Sequence, residues 1–126
     1  MISKQANIHS GAKLAENVKV DAFATIYEDV EIGAGSWIGP NAVIMNGARI
    51  GKNVQIFPGA VISGDPQDLK FEGEITTAEI GDNTIIREYV TINKGTKAND
   101  RTVVGKDCLI VSYCHIAHDC VLQDHV

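Results

Sequence analysis

A chain of 126 residues suffices for one domain, and its net charge of −5 leaves no broad basic surface for nucleic acid. Hydrophobic residues make up 44% but aromatic ones only 6%, which suits a narrow interior of aliphatic and small side chains. There is no run of the roughly 18 apolar residues that a membrane helix needs and no basic segment leading into an apolar one, so the expected setting is the cytoplasm, with no membrane span.

From the first coil onward the chain keeps a six-residue period. Ile8, Leu14, Val20, Ile26, Ile32, Ile38, Ile44, Ile50, Ile56 and Ile62 stand six apart. The register resumes at Ile80, Ile86 and Ile92, and again at Val104, Ile110, Ile116 and Leu122. Only Asp68, Glu74 and Ala98 break it. Neither a helix nor a flat amphipathic strand alone has this period; a hexapeptide-repeat parallel β-helix does. Residues 1–126 are therefore expected to form one all-β domain of stacked triangular coils.

The slot three residues after the aliphatic positions is rich in turn formers: Gly11, Asn17, Asp29, Gly35, Asn41, Gly47, Asn53, Gly59, Asn83, Gly95, Asp107 and Asp119. These residue types enter the left-handed backbone region at low cost, so a corner is expected there. The next slot holds small residues, and Cys108, Cys114 and Cys120 fall in it. They are expected to be small buried hydrophobes rather than metal ligands or disulfide partners.

Two stretches leave the wall. Ser63 to Glu79 carries Asp68 and Glu74 on the period and is punctuated by Gly64, Pro66 and Gly73; Lys97 to Thr102 is shorter. Both are expected to project from corners, where functional residues concentrate. The chain ends inside the repeat begun by Leu122. A solenoid stopping there exposes an edge, so a longer parent protein is expected, or a partner over that end.

His115 and His118, within Cys-His-Ile-Ala-His-Asp-Cys (114 to 120), fall in outward slots on either side of the inward Ile116. Two readings stand. One is a pair of solvent-facing histidines beside an ordinary corner residue, Asp119. The other is a general base: a neutral imidazole takes the proton of an attacking alcohol while a carboxylate fixes its tautomer. The orienting group could be Asp119, a backbone carbonyl or a residue of another subunit. Zinc held between subunits, as in gamma-class carbonic anhydrases, fits less well. That motif spaces histidines five apart, whereas His115 and His118 are three apart and His125 lies seven further on. No metal is expected.

The six-residue period, Gly-Asp-Pro-Gln-Asp-Leu-Lys (64 to 70), Ile-Arg-Glu-Tyr-Val-Thr-Ile-Asn-Lys-Gly-Thr (86 to 96) and His-Ile-Ala-His-Asp-Cys (115 to 120) follow one another in this order. Together they resemble the acyl-[acyl-carrier-protein]–UDP-N-acetylglucosamine O-acyltransferases, the family that opens lipid A biosynthesis, over the first half of its members. The resemblance implies a left-handed β-helix and a homotrimer with active sites between solenoids. It also implies transfer of a 3-hydroxyacyl group to the 3-hydroxyl of UDP-N-acetylglucosamine. The acyl group would arrive on the phosphopantetheine of acyl carrier protein, with no resident cofactor. By the same resemblance His118 is the catalytic base with Asp119 beside it, His115 lines the cleft, and Asp68 contacts the sugar nucleotide. Gln67 and Lys70 lie near the acyl and phosphopantetheine groups. Further coils and a helical domain would follow Val126.

Asn93 departs from the histidine that some relatives carry in Val-Thr-Ile-His, and Ser10 from a common proline. Three alternatives stand beside this reading. A related N-acyltransferase usually carries a domain ahead of the solenoid, whereas here the period begins at Ile8. The others are the zinc-dependent hydratase and a non-catalytic scaffold.

Overall fold

The computed structural model describes residues 1–126. Seventeen short strands make three parallel sheets. The first face stacks β1 (Asn7–Ile8), β4 (Thr25–Ile26), β7 (Val43–Ile44), β10 (Val61–Gly64), β13 (Thr91–Asn93) and β16 (His115–Ile116). The second stacks β2 (Lys13–Leu14), β5 (Glu31–Ile32), β8 (Ala48–Ile50), β11 (Thr77–Ile80), β14 (Arg101–Val104) and β17 (Val121–Leu122). The third stacks β3 (Lys19–Val20), β6 (Trp37–Ile38), β9 (Gln55–Ile56), β12 (Ile85–Ile86) and β15 (Leu109–Ile110). About six turns of left-handed β-helix result, with no helix in the chain. No helix is long and apolar enough to cross a membrane.

Register follows the sequence period. Ile26, Ile44, Ile62 and Ile92 pair in one column, and Ile32, Ile50, Ile80 and Val104 in another. These side chains, with small ones such as Ala24, Ala42, Ala60 and Ala78, form a single buried core. Each fully buried isoleucine contributes roughly 1.5–3 kcal/mol. Buried hydroxyls serve the corners: Ser36 donates to Gly51 O at 2.8 Å and Thr84 to Gly105 O at 2.7 Å. The cysteines follow the expectation only in part. Cys108 is buried, Cys114 is half-buried and Cys120 is exposed, because no further coil of this chain lies over it. All three are free thiols.

The corners are not alike. After the second face, Asn17, Gly35, Asn53, Asn83, Asp107 and His125 all adopt positive φ. After the third face the same is true of Phe23, Asn41, Gly59, Tyr89 and Tyr113. Aromatic residues are unexpected there, since the left-handed region suits a bulky side chain poorly. At Tyr89 and Tyr113 stacking offsets the strain. The Tyr89 and Tyr113 rings lie 5.5 Å apart and nearly parallel, and a Cβ on Gly59 would overlap the Tyr89 ring. At the corner after the first face, Gly47 and Asp119 keep positive φ but Gly11, Asp29 and Gly95 do not, contrary to the sequence expectation.

Both excursions leave from that third corner. Ile62 and Ile80 are successive wall positions but stand eighteen residues apart, and Ile92 and Val104 stand twelve apart, against six elsewhere. Both insertions are whole multiples of the repeat, so the wall stays in phase across them.

Candidate active site

The loop-bearing corner gathers the candidate residues. His115 opens β16 and points outward, and its Nδ1 lies 2.7 Å from Thr91 Oγ1 in the coil below. His118 follows at the turn with its side chain 31% exposed, outward as the period requires. Asp119 takes a left-handed backbone conformation, φ 66°, which an aspartate tolerates. Its carboxylate meets Thr96, at the root of the shorter loop, rather than solvent.

Asp119 is held from several sides. Its Oδ1 accepts the Thr96 N–H at 2.8 Å, and its Oδ2 accepts the Thr96 hydroxyl. Its own N–H donates to Thr102 Oγ1 at 2.9 Å. His118 Nδ1 lies 2.9 Å from Asp119 Oδ2. Burial pushes the Asp119 carboxyl up, but the hydrogen bonds from the Thr96 hydroxyl, His118 and the Thr96 N–H together outweigh it, and the pKa lies below the usual carboxylate value. An ionised carboxylate only accepts hydrogen bonds, so His118 carries its proton on Nδ1. In the neutral ring the Nε2 lone pair is then the one left to take a proton. Asp119 is the group of this chain that meets His118 Nδ1.

Asp68 and Lys70 meet the second loop in one cavity, which Phe71, Thr96 and Lys97 also line. Asp68 Oδ1 accepts the Lys70 N–H at 3.0 Å, and the Asp68 carbonyl accepts the Phe71 N–H at 3.0 Å. The aspartate thus shapes its own loop turn as well as lining the cavity. Thr96 joins this cavity to Asp119. Gln67 is exposed and lies outside the cavity lining.

Sequence reasoning missed Thr96 and Thr102, which read as small wall and loop residues. Their partner Asp119 is distant along the chain, and no local spacing announces the contact. It also passed over Lys94. That side chain is only 13% exposed, with its ammonium 3.8 Å from Asp65 Oδ1 and 5.5 Å from the centroid of the Phe71 ring.

A sequence profile described as "Bacterial transferase hexapeptide (six repeats)" matches residues 29–64. The acyl-[acyl-carrier-protein]–UDP-N-acetylglucosamine O-acyltransferase of Xanthomonas oryzae is 47% identical over 121 residues, 95% of this chain and 46% of that protein. The corresponding protein of Chlorobium phaeobacteroides is 58% identical over 60 residues, 48% of this chain and 23% of that protein. Among solved structures, the UDP-N-acetylglucosamine acyltransferase of Bacteroides fragilis superposes with a TM-score of 0.97 at 52% identity, over 98% of this chain and 49% of that one. The chain matches the N-terminal half of the UDP-N-acetylglucosamine O-acyltransferase family. The corresponding enzyme of Francisella novicida gives a TM-score of 0.96 at 38% identity, over 98% of this chain and 46% of that one. The chain therefore spans about half the length of these O-acyltransferase structures.

Proposed function

We propose that this chain forms the base-bearing half of an O-acyltransferase that moves a 3-hydroxyacyl group from acyl carrier protein to the 3-hydroxyl of UDP-N-acetylglucosamine. His118 Nε2 takes the hydroxyl proton as that oxygen attacks the thioester carbonyl. The tetrahedral intermediate then expels the carrier thiolate, which recovers the proton from the imidazolium. An ester and a free thiol result. Asp119 holds the imidazole tautomer and faces the imidazolium while it exists. The observation that carries this reading is the Asp119 carboxylate, fixed by Thr96 and set 2.9 Å from His118 Nδ1.

In the same reading Asp68 contacts the sugar nucleotide, Gln67 and Lys70 lie toward the acyl and phosphopantetheine groups, and His115 lines the cleft. The protein works as a homotrimer, in the cytoplasmic setting expected above, with coils beyond Val126 completing the site. The outer faces support an assembly. The first face presents Thr25, Val43, Val61 and Thr91 below His115 without a charge, while the second presents Lys13, Glu31, Arg49 and Glu79. A neighbouring solenoid lying on the first face would reach the histidines without burying a row of ions.

The test is transfer by the complete gene product, assayed with UDP-N-acetylglucosamine and 3-hydroxyacyl carrier protein. His118→Ala is expected to lower the rate by about 10²–10⁴ with an unchanged circular dichroism spectrum. Activity retained within about threefold would remove the general-base assignment.

A further inference from the structure

The buried hydroxyls of the solenoid do not all serve the same purpose. Ser36, Ser63, Thr76 and Thr84 donate to the backbone carbonyls of Gly51, Asn46, Gly95 and Gly105, and so tie one coil to the next. Thr102 accepts the Asp119 N–H. Thr96, also buried, is bonded instead to a carboxylate, and to the very oxygen of Asp119 that meets His118 Nδ1. An ionised carboxylate has no proton to give, so the Thr96 hydroxyl is the donor. The fold closes its other corners without such a bond.

Thr96 is itself fixed by its own loop. Its carbonyl accepts the Asp100 N–H at 2.7 Å and its Oγ1 accepts the Ala98 N–H at 3.2 Å, which winds the short loop back on its root. The carbonyl of the preceding Gly95 accepts the Thr76 hydroxyl at 2.5 Å, and a Cβ on Gly95 would overlap the Arg101 backbone. With Ala98 on its accepting side, the Thr96 hydroxyl has its proton left for Asp119. The Thr96 N–H reaches the other carboxylate oxygen, Oδ1, at 2.8 Å. One residue thus grips both oxygens, which fixes the plane of the carboxylate as well as its place.

We propose that Thr96 is a positioning residue for the proton transfer at His118, its hydroxyl and N–H fixing the Asp119 carboxylate so that Oδ2 holds the imidazole proton on Nδ1. The inference rests on the general-base reading above. Thr96 makes no hydrogen bond to His118 and acts through Asp119. With valine in its place the N–H bond to Oδ1 remains, the hydroxyl bond to Oδ2 is lost, and the carboxylate turns about the bond that is left. The imidazole proton then divides between the two ring nitrogens. A ring protonated on Nε2 cannot accept a proton there, so turnover falls while substrate binding does not.

The test combines turnover with NMR of the His118 ring nitrogens, both on the complete gene product. Valine fills the same slot of the repeat at Val18, Val30, Val54 and Val90, so Thr96→Val is expected to fold. Thr96→Ala, matching Ala24, Ala42 and Ala60, is a second probe with the same expected outcome. Either should lower kcat about tenfold with KM within about twofold, and Thr96→Ser, which keeps the hydroxyl, should recover most of the loss. In an Asp119→Ala background, Thr96→Val should lower kcat by less than about twofold further, because the group it acts through is already gone. The nitrogen shifts of Thr96→Val should reveal an Nε2-protonated ring that the native protein lacks. Fully additive losses, unchanged nitrogen shifts, or a fall in kcat that valine and serine share would each overturn the proposal. A native kcat for Thr96→Val beside an inactive His118→Ala would defeat this inference alone. Native kcat in both would defeat the general-base reading and this inference with it.

Discussion

Two of the three corners of this solenoid repeat the same device in every coil, and the third does not. The regular corners stack left-handed residues in unbroken columns from Asn17 to His125 and from Phe23 to Tyr113. At the third corner, positive φ moves onto Ser63, Gly73 and Asp100 of the inserted segments, and Gly11, Asp29 and Gly95 lose it. A column of like corners ties coil to coil and presents the same surface at every level. A site needs unlike groups close together, and the interrupted corner supplies them: His115, His118, Asp119 and Thr96, with Asp68 of the long loop in the cavity that Thr96 also lines. The stable walls hold the frame, and in the function proposed above the broken repeat carries the chemistry.

Changes at the two kinds of place should separate cleanly. The largest effect is that of His118→Ala on transfer, about 10²–10⁴ in rate, with the fold intact. Next is the wall. Ile56→Ala removes a fully buried side chain and is expected to cost about 2–5 kcal/mol of stability in denaturant melts, with the surviving folded protein active. If it instead abolished activity without loss of stability, the division between frame and site would fail. Asp119→Asn comes third. It loses the fixed tautomer, and a fall of about 10–100-fold in kcat is expected with little change in KM. An equal change in KM alone would make Asp119 a binding residue.

The smallest effects are in stability. Asn41→Ala at a regular corner, φ 62°, should cost about 1–2 kcal/mol and leave activity unchanged. Asp119 also predicts a pH signature. Its pKa is lowered in the folded state, so its carboxylate stabilises the fold above the unfolded carboxylate pKa and loses that contribution as pH falls through the lower folded value. The stability difference between the native protein and Asp119→Asn should therefore be full at neutral pH and close in strong acid. A difference independent of pH would mean that the charge is not what Asp119 contributes.

Much of the frame was legible because its cause is periodic. Aliphatic side chains six apart, from Ile8 to Leu122, can be buried together only by coiling with that period. Asp68, Glu74 and Ala98 marked the excursions for the same reason. The outward placement of His115 and His118 followed directly from the inward placement of Ile116. What stayed hidden was non-local. Thr96 holds Asp119 across an inserted segment, and no spacing rule links the two. Tyr89 and Tyr113 occupy turns that residue preference assigns to glycine or asparagine, because each ring gains a neighbour visible only once the coils are stacked. Cys120 shares its slot with the buried Cys108 but not its surroundings, since burial in a solenoid depends on the coil above.

The most direct measurement is the ring nitrogen chemical shifts of His118 by NMR at neutral pH. The uncharged ring should carry its proton on Nδ1, against Asp119, with Nε2 bare. A neutral ring protonated on Nε2 would contradict it, since the nitrogen left for the substrate would then have no lone pair to offer.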